Sequence, residues 1–127
     1  MNKLIFITFV FILFSCTKEN DLQPLPEIRY GQHERHVVYF KYVSPTCYLF
    51  IHGGGWATGD KNELTWALNG FKQRGFAVAN INYRLTLNTA DNYKMQLDDI
   101  DSAVQFTLRQ SAVHTFNGQK LYIVGHS

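Results

Sequence analysis

Apolar residues fall in four short runs after residue 36, and amphipathic stretches separate the later ones. His36 to Val43 (HVVYFKYV) is dominated by β-branched and aromatic residues and predicts a strand. Ser44-Pro45 makes a turn, and Thr46 to Ile51 is apolar almost throughout, as expected of a strand buried on both faces. Between Asp60 and Arg74, Leu64, Ala67, Leu68 and Phe71 recur at helical spacing. Asp60 with Glu63 has the spacing of a capping box, and Gly75 stands where a helix-ending glycine belongs. Phe76 to Ile81 predicts a third strand and Asn82 to Asn92 a loop. Tyr93 to about His114 predicts a longer helix with Leu97, Ile100, Val104 and Leu108 on its apolar face. Lys120 to Val124 predicts a fourth strand. Apolar strands alternating with amphipathic helices indicate an α/β domain with a mostly parallel sheet flanked by helices.

The N-terminus has a different pattern. Leu4 to Phe14 is a run of eleven residues interrupted only by Thr8 and preceded by Lys3. A bilayer span needs about 20 apolar residues, so this run has the size of a signal-peptide core. Leu13-Phe14-Ser15-Cys16 resembles the lipobox of bacterial lipoproteins, although Phe14 is bulkier than is usual there. That resemblance implies cleavage before Cys16, lipidation of its thiol and a membrane anchor. The acidic-polar residues after Cys16 resemble an export signal of surface lipoproteins. The implied location is across the inner membrane, on the outer membrane or cell surface of a Gram-negative bacterium. The alternative is an ordinary secretory signal with a chance cysteine. Expected boundaries are residues 1–15 for the signal, 16–35 for the lipidated cysteine and a polar tether carrying Pro24 and Pro26, and 36–127 for the domain.

Composition narrows the function. Charged residues are 17% of the chain, net charge is +2, and no basic run occurs, so a nucleic-acid partner has no support. Two cysteines cannot form a disulfide scaffold; Cys47, inside a strand, reads as an apolar filler. His52, His114 and His126 lack metal-ligand spacing, so no metal is expected, and no cofactor is expected either.

Two short segments carry the chemistry. His52-Gly53-Gly54-Gly55-Trp56 comes directly after a buried strand. Consecutive glycines let a backbone approach a bound group and turn its N–H groups toward it. Such donors stabilise the negative oxygen formed when a carbonyl is attacked. A phosphate-binding loop would want Lys and Ser/Thr at fixed offsets after the glycines, and these are missing. Gly125-His126-Ser127 comes after the last strand and supplies the first three residues of a G-x-S-x-G turn, which exposes a serine hydroxyl for attack. Arg84 can pair with Asp98 or Asp99 and brace the second helix, a structural role more than a substrate contact. Trp56 fits either the lining of an acyl pocket or simple packing.

Taken together, HGGGWATGDK (52–61), INYRL (81–85), MQLDDIDSAVQF (95–106) and LYIVGHS (121–127) resemble the α/β-hydrolase superfamily, specifically its hormone-sensitive-lipase-like and BD-FAE-type esterases. The resemblance covers residues 36–127. It implies Ser127 as nucleophile, the amides of Gly54 and Gly55 as oxyanion donors, and His52, Gly53 and Trp56 as support for that loop. It implies hydrolysis of a small-molecule or polysaccharide-linked ester, with a peptidase, an amidase or a non-catalytic lipoprotein of the same fold as alternatives. The superfamily places its triad acid and histidine after the serine, whereas all five histidines here precede Ser127. The expectation is therefore the N-terminal part of a hydrolase, inactive without an acid and a histidine from beyond Ser127. The strand leading to Ser127 would then be left as an apolar edge.

Overall fold

A computed structural model of the chain describes residues 26–41, 44–86, 93–110 and 120–127. The signal, Cys16 and His114 lie outside these residues. Five strands form one mixed sheet: β1 (Glu27–Arg29), β2 (Val37–Lys41), β3 (Cys47–Ile51), β4 (Ala77–Ile81) and β5 (Leu121–Gly125), in the order β1-β2-β4-β3-β5. Pairing is antiparallel on the β1-β2-β4 side and parallel through β4-β3-β5. Helix α1 (Thr65–Gln73) connects β3 to β4, and α2 (Tyr93–Gln110) lies between β4 and β5.

The two helices cover opposite faces of the sheet because side chains alternate along each strand. Cys47, Leu49, Ala77, Ala79 and Ile81 pack on the face that receives Ala103, Ile100 and Val104 of α2. Phe50 and Val78 point the other way, to Leu64 and Leu68 at α1. Strand β4 is buried at every position, and β3 is buried or half-buried throughout, as its unbroken apolar run required. Among the described residues β1 and β5 are the two edge strands, and Tyr122 and Ile123 of β5 are exposed.

Three sequence expectations change. Residues 27–35 are not tether: β1 pairs with β2, Tyr30 is buried, and the Tyr30 hydroxyl donates to the Asn82 carbonyl. The Lys61 ammonium, almost wholly buried, fastens this segment, 2.7 Å from Glu27 Oε1 and 4.4 Å above the Tyr39 ring. Composition missed this because the polar residues between the apolar ones, though largely exposed, also bond within the segment and to Lys61. Second, the first turn of the α1 segment is a 3-10 turn (Lys61–Leu64). The Asp60 carboxylate caps it by accepting from the Asn62 amide, while the Glu63 amide donates to the Asp60 carbonyl, so the Glu63 side chain closes no box. Third, α2 is rotated by one position relative to its apolar stripe. Leu97 is about half exposed, and the innermost residues are Gln96, Asp99, Ala103 and Thr107. Gly75 ends α1 as expected, at φ +81, with its amide on the Lys72 carbonyl.

Candidate active site

Strands β3 and β5 are parallel neighbours with Ile51 opposite Gly125, and the His126 amide continues the ladder by donating to the Ile51 carbonyl at 3.0 Å. Both therefore release the chain at the same edge of the sheet. The glycine loop emerges from one, and Gly125–Ser127 from the other. The chain leaves β3 for β4 on one side and returns to β5 on the other, with α1 and α2 on opposite faces. Such a reversal opens a crevice at the carboxyl ends of the strands. A cleft of about 530 Å³ lies there, bordered by Gly53–Trp56, Tyr83, Ile100 and Gly125–Ser127.

Contact between the two segments is backbone to backbone. A Cβ on Gly53 would lie 2.8 Å from the His126 carbonyl oxygen and 3.0 Å from Ser127 Cα. Only a glycine lets the loop come this near to the serine.

Two peptides of the loop are oriented through their carbonyls. The His52 Nδ1–H donates to the Gly53 oxygen at 2.7 Å. The Gly54 oxygen accepts from the Ala57 amide, the Thr58 amide and the Thr58 hydroxyl. In a trans peptide the C=O and the N–H of the next residue point in opposite directions. The Gly54 amide is therefore turned away from His52, and the Gly55 amide away from Thr58. Neither has an acceptor among the described residues, and both glycines border the cleft. Gly54, Gly55 and Trp56 have φ of +114, +58 and +68. Glycine adopts this region freely, but in a tryptophan it costs about 1–2 kcal/mol.

His52 is buried and stacked on Tyr83, with ring centroids 4.4 Å apart, and the Tyr83 hydroxyl donates to the His52 carbonyl at 2.9 Å. Burial pulls the His52 pKa below its ordinary value, against the opposing effect of the Gly53 carbonyl. The ring is thus neutral at pH 7, with one nitrogen committed to the loop and Nε2 enclosed and without a partner among the described residues. Burial likewise raises the Tyr83 phenol, keeping it a donor. Cys47 is fully buried and its thiol is pushed up to about 12, which excludes thiolate chemistry at neutral pH.

Arg84 binds Asp99: its backbone amide and its Nε each donate to Asp99 Oδ2 at 2.9 Å. Asp98 takes no part in this pair and bonds Lys94 on the exposed side of α2 at 3.1 Å. His36 Nε2 lies 3.0 Å from Asp99 Oδ1 but outside hydrogen-bonding geometry. Burial acts to raise the Asp99 pKa, but the Arg84 bonds and His36 overcome it and hold the carboxylate below its usual range. A depressed folded pKa gives stability that is fully present above the unfolded value of about 3.9 and is lost as pH falls through the folded value. Asp99→Asn is accordingly expected to lower stability at pH 7 by about 1.5–3 kcal/mol and to flatten the acid limb of a urea-denaturation series below about pH 4. An unchanged acid limb would count against this assignment.

Two site residues escaped the sequence reading. Arg35 donates from Nε to the Tyr83 carbonyl and from Nη2 to the Gly59 carbonyl, pinning both ends of the loop system. Gln96 donates to the Trp56 carbonyl at 2.7 Å. Nothing local marks Arg35; Gln96 could have been found by phasing α2 on Asp99, three residues later. Trp56 is partly exposed at the cleft, its ring 6.0 Å from that of Tyr83.

Comparison with known proteins places these features. The BD-FAE family model matches residues 41–127. A neuroligin-like protein of Caenorhabditis elegans is 28% identical over 88% of this chain and 18% of its own length. An AB hydrolase superfamily protein of Schizosaccharomyces pombe is 30% identical over 64% of this chain and 24% of its own. Among solved structures, esterase B of Lactobacillus rhamnosis superposes with a TM-score of 0.69 at 26% identity, covering 80% of this chain and 34% of that one. A thermophilic esterase of Thermogutta terrifontis, solved with propionate bound, gives 0.71 at 20% identity, over 81% and 41%. The chain thus spans less than half the length of each of these proteins.

Proposed function

The chain belongs to the BD-FAE family of α/β-hydrolases, and from that membership we propose that the whole protein is a serine hydrolase of carboxylic esters with Ser127 as its nucleophile. One observation carries the proposal: the bare Cα of Gly53 lets the glycine loop touch the backbone of Ser127, and Gly54 and Gly55, whose amides have no acceptor among the described residues, border the same cleft as the serine. In this reading the Ser127 Oγ attacks the ester carbonyl carbon. The carbonyl oxygen becomes an oxyanion held by the Gly54 and Gly55 N–H groups. The C–O bond to the alcohol breaks, the alcohol leaves with the proton taken from serine, and water hydrolyses the acyl-enzyme.

The general base is a separate requirement. His52 does not meet it, since Nδ1 is engaged and Nε2 enclosed. We assign the base and its orienting acid to residues after Ser127, in line with the chain order of the superfamily. Residues 1–127 alone are then expected to show no serine-dependent turnover.

The substrate is proposed to be a small-molecule ester; among the described residues, no Lys, Arg, Asp or Glu borders the cleft. A panel of p-nitrophenyl esters and matched p-nitroanilides, run on the full-length protein, tests the bond cleaved. Preference for the esters is expected; turnover confined to the anilides would replace the esterase reading with an amidase or peptidase. We further propose that Cys16 is the lipidated N-terminus of a secreted, membrane-anchored protein. Cys16→Ser should abolish labelling by a radiolabelled fatty acid and release the protein from membranes, and unchanged retention would refute the anchor.

A further inference from the structure

The orientation of the Gly55 amide depends on a chain of peptide planes that begins outside the glycine loop. The Trp56 carbonyl accepts from the Thr86 amide at 3.0 Å and from Gln96 Nε2 at 2.7 Å. The other side of that same peptide is the Ala57 N–H, which donates to the Gly54 carbonyl. The other side of the Gly54 peptide is the Gly55 N–H. Holding the Trp56 oxygen therefore helps to hold the Gly55 amide, two planes away, alongside the Thr58 amide and hydroxyl that also bond the Gly54 carbonyl. It also holds Trp56 in a left-handed conformation that a tryptophan does not favour.

We propose that Gln96 is a positioning residue for the glycine loop, its side-chain amide acting through the Trp56 carbonyl to keep the Gly55 N–H turned to the cleft. The role rests on the reading of this loop as an oxyanion hole. Gln96 is suited to it: it is fully buried, and α2 is set independently by the Arg84–Asp99 pair three residues away. Stability alone does not account for a glutamine here. Its Oε1 is buried without a partner among the described residues, a cost that an apolar side chain of the same length avoids.

The test uses the full-length protein with Gln96→Met and Gln96→Glu, each also in a Trp56→Gly background. Gln96→Met keeps the volume and removes the donor. The melting temperature should hold or rise, while kcat for an activated aryl ester should fall about 10- to 100-fold with KM within about 3-fold. Trp56 should leave positive φ in a crystal structure or by backbone chemical shifts. Gln96→Glu sets a second oxygen against the Trp56 carbonyl and should do at least as much harm, providing the reading should the Met variant fail to fold. In the Trp56→Gly background the position favours left-handed φ unaided, so the loss from Gln96→Met should shrink to about 3-fold or less. Equal losses in both backgrounds, or Trp56 unmoved at positive φ, would overturn the proposal. An inactive wild-type protein would instead remove the oxyanion reading, while the Trp56 conformation would still decide what Gln96 does.

Discussion

Ser127→Ala in the full-length protein is expected to lower kcat/KM for an activated aryl ester by roughly 10⁴- to 10⁶-fold, leaving only what binding and the amide donors supply. The magnitude comes from the step removed. Without the hydroxyl no acyl-enzyme forms, and water must attack directly, without the orientation that a fixed nucleophile supplies. Ser127 borders the cleft, and loss of one hydroxyl there should leave the melting temperature within about 1 °C of wild type. Labelling by a p-nitrophenyl alkylphosphonate, with mass spectrometry as the readout, should place the adduct on Ser127 and disappear in the variant. Residual activity within about tenfold of wild type would move the nucleophile elsewhere.

Gly53→Ala is the second large effect, and its cause is contact rather than backbone strain. Gly53 has no positive φ, yet a methyl there would lie 2.8 Å from the His126 oxygen and 2.9 Å from the Ser127 carbonyl carbon. The atoms in the way are backbone, tied to β3 by the His126 amide, so relief requires the loop and the serine to move apart. A displacement near 1 Å misplaces both amides together, and a loss of about 10²- to 10³-fold in kcat is expected. Overpacking should cost about 1–3 kcal/mol of stability as well. Gly75→Ala is the informative companion. It forces a side chain into φ +81 in open space, far from the cleft, so it should cost stability alone, about 1 kcal/mol. Equal activity losses in the two variants would mean that loss of fold, not loss of approach, explains Gly53→Ala.

The legible part of this protein was local. A strand buried on both faces carries its information in its own residues, so β3 and β4 could be read from uninterrupted apolar runs; β5 shows the same kind of run, although Tyr122 and Ile123 are exposed. The glycine run of residues 53–55 and the Gly-His-Ser turn were legible for a related reason: few residues tolerate the backbone geometry such chemistry needs. The phase of α2 was not legible. Periodicity assumes that the apolar stripe goes inside, whereas Asp99 and Gln96 are buried because Arg84 and the Trp56 carbonyl satisfy them. Those partners are distant in sequence, and no pattern within the helix announces them. The same holds for Arg35, whose carbonyl acceptors lie 48 and 24 residues further along the chain.

By itself, then, the amino-acid order determined the α/β class and the two chemical segments. The tertiary structure alone decided that those segments meet. Residues 53 and 127 are neighbours because β3 and β5 are adjacent parallel strands, a pairing set by the crossover through β4 and by backbone hydrogen bonds. Such bonds are the same for every residue type, and so leave no mark in the sequence.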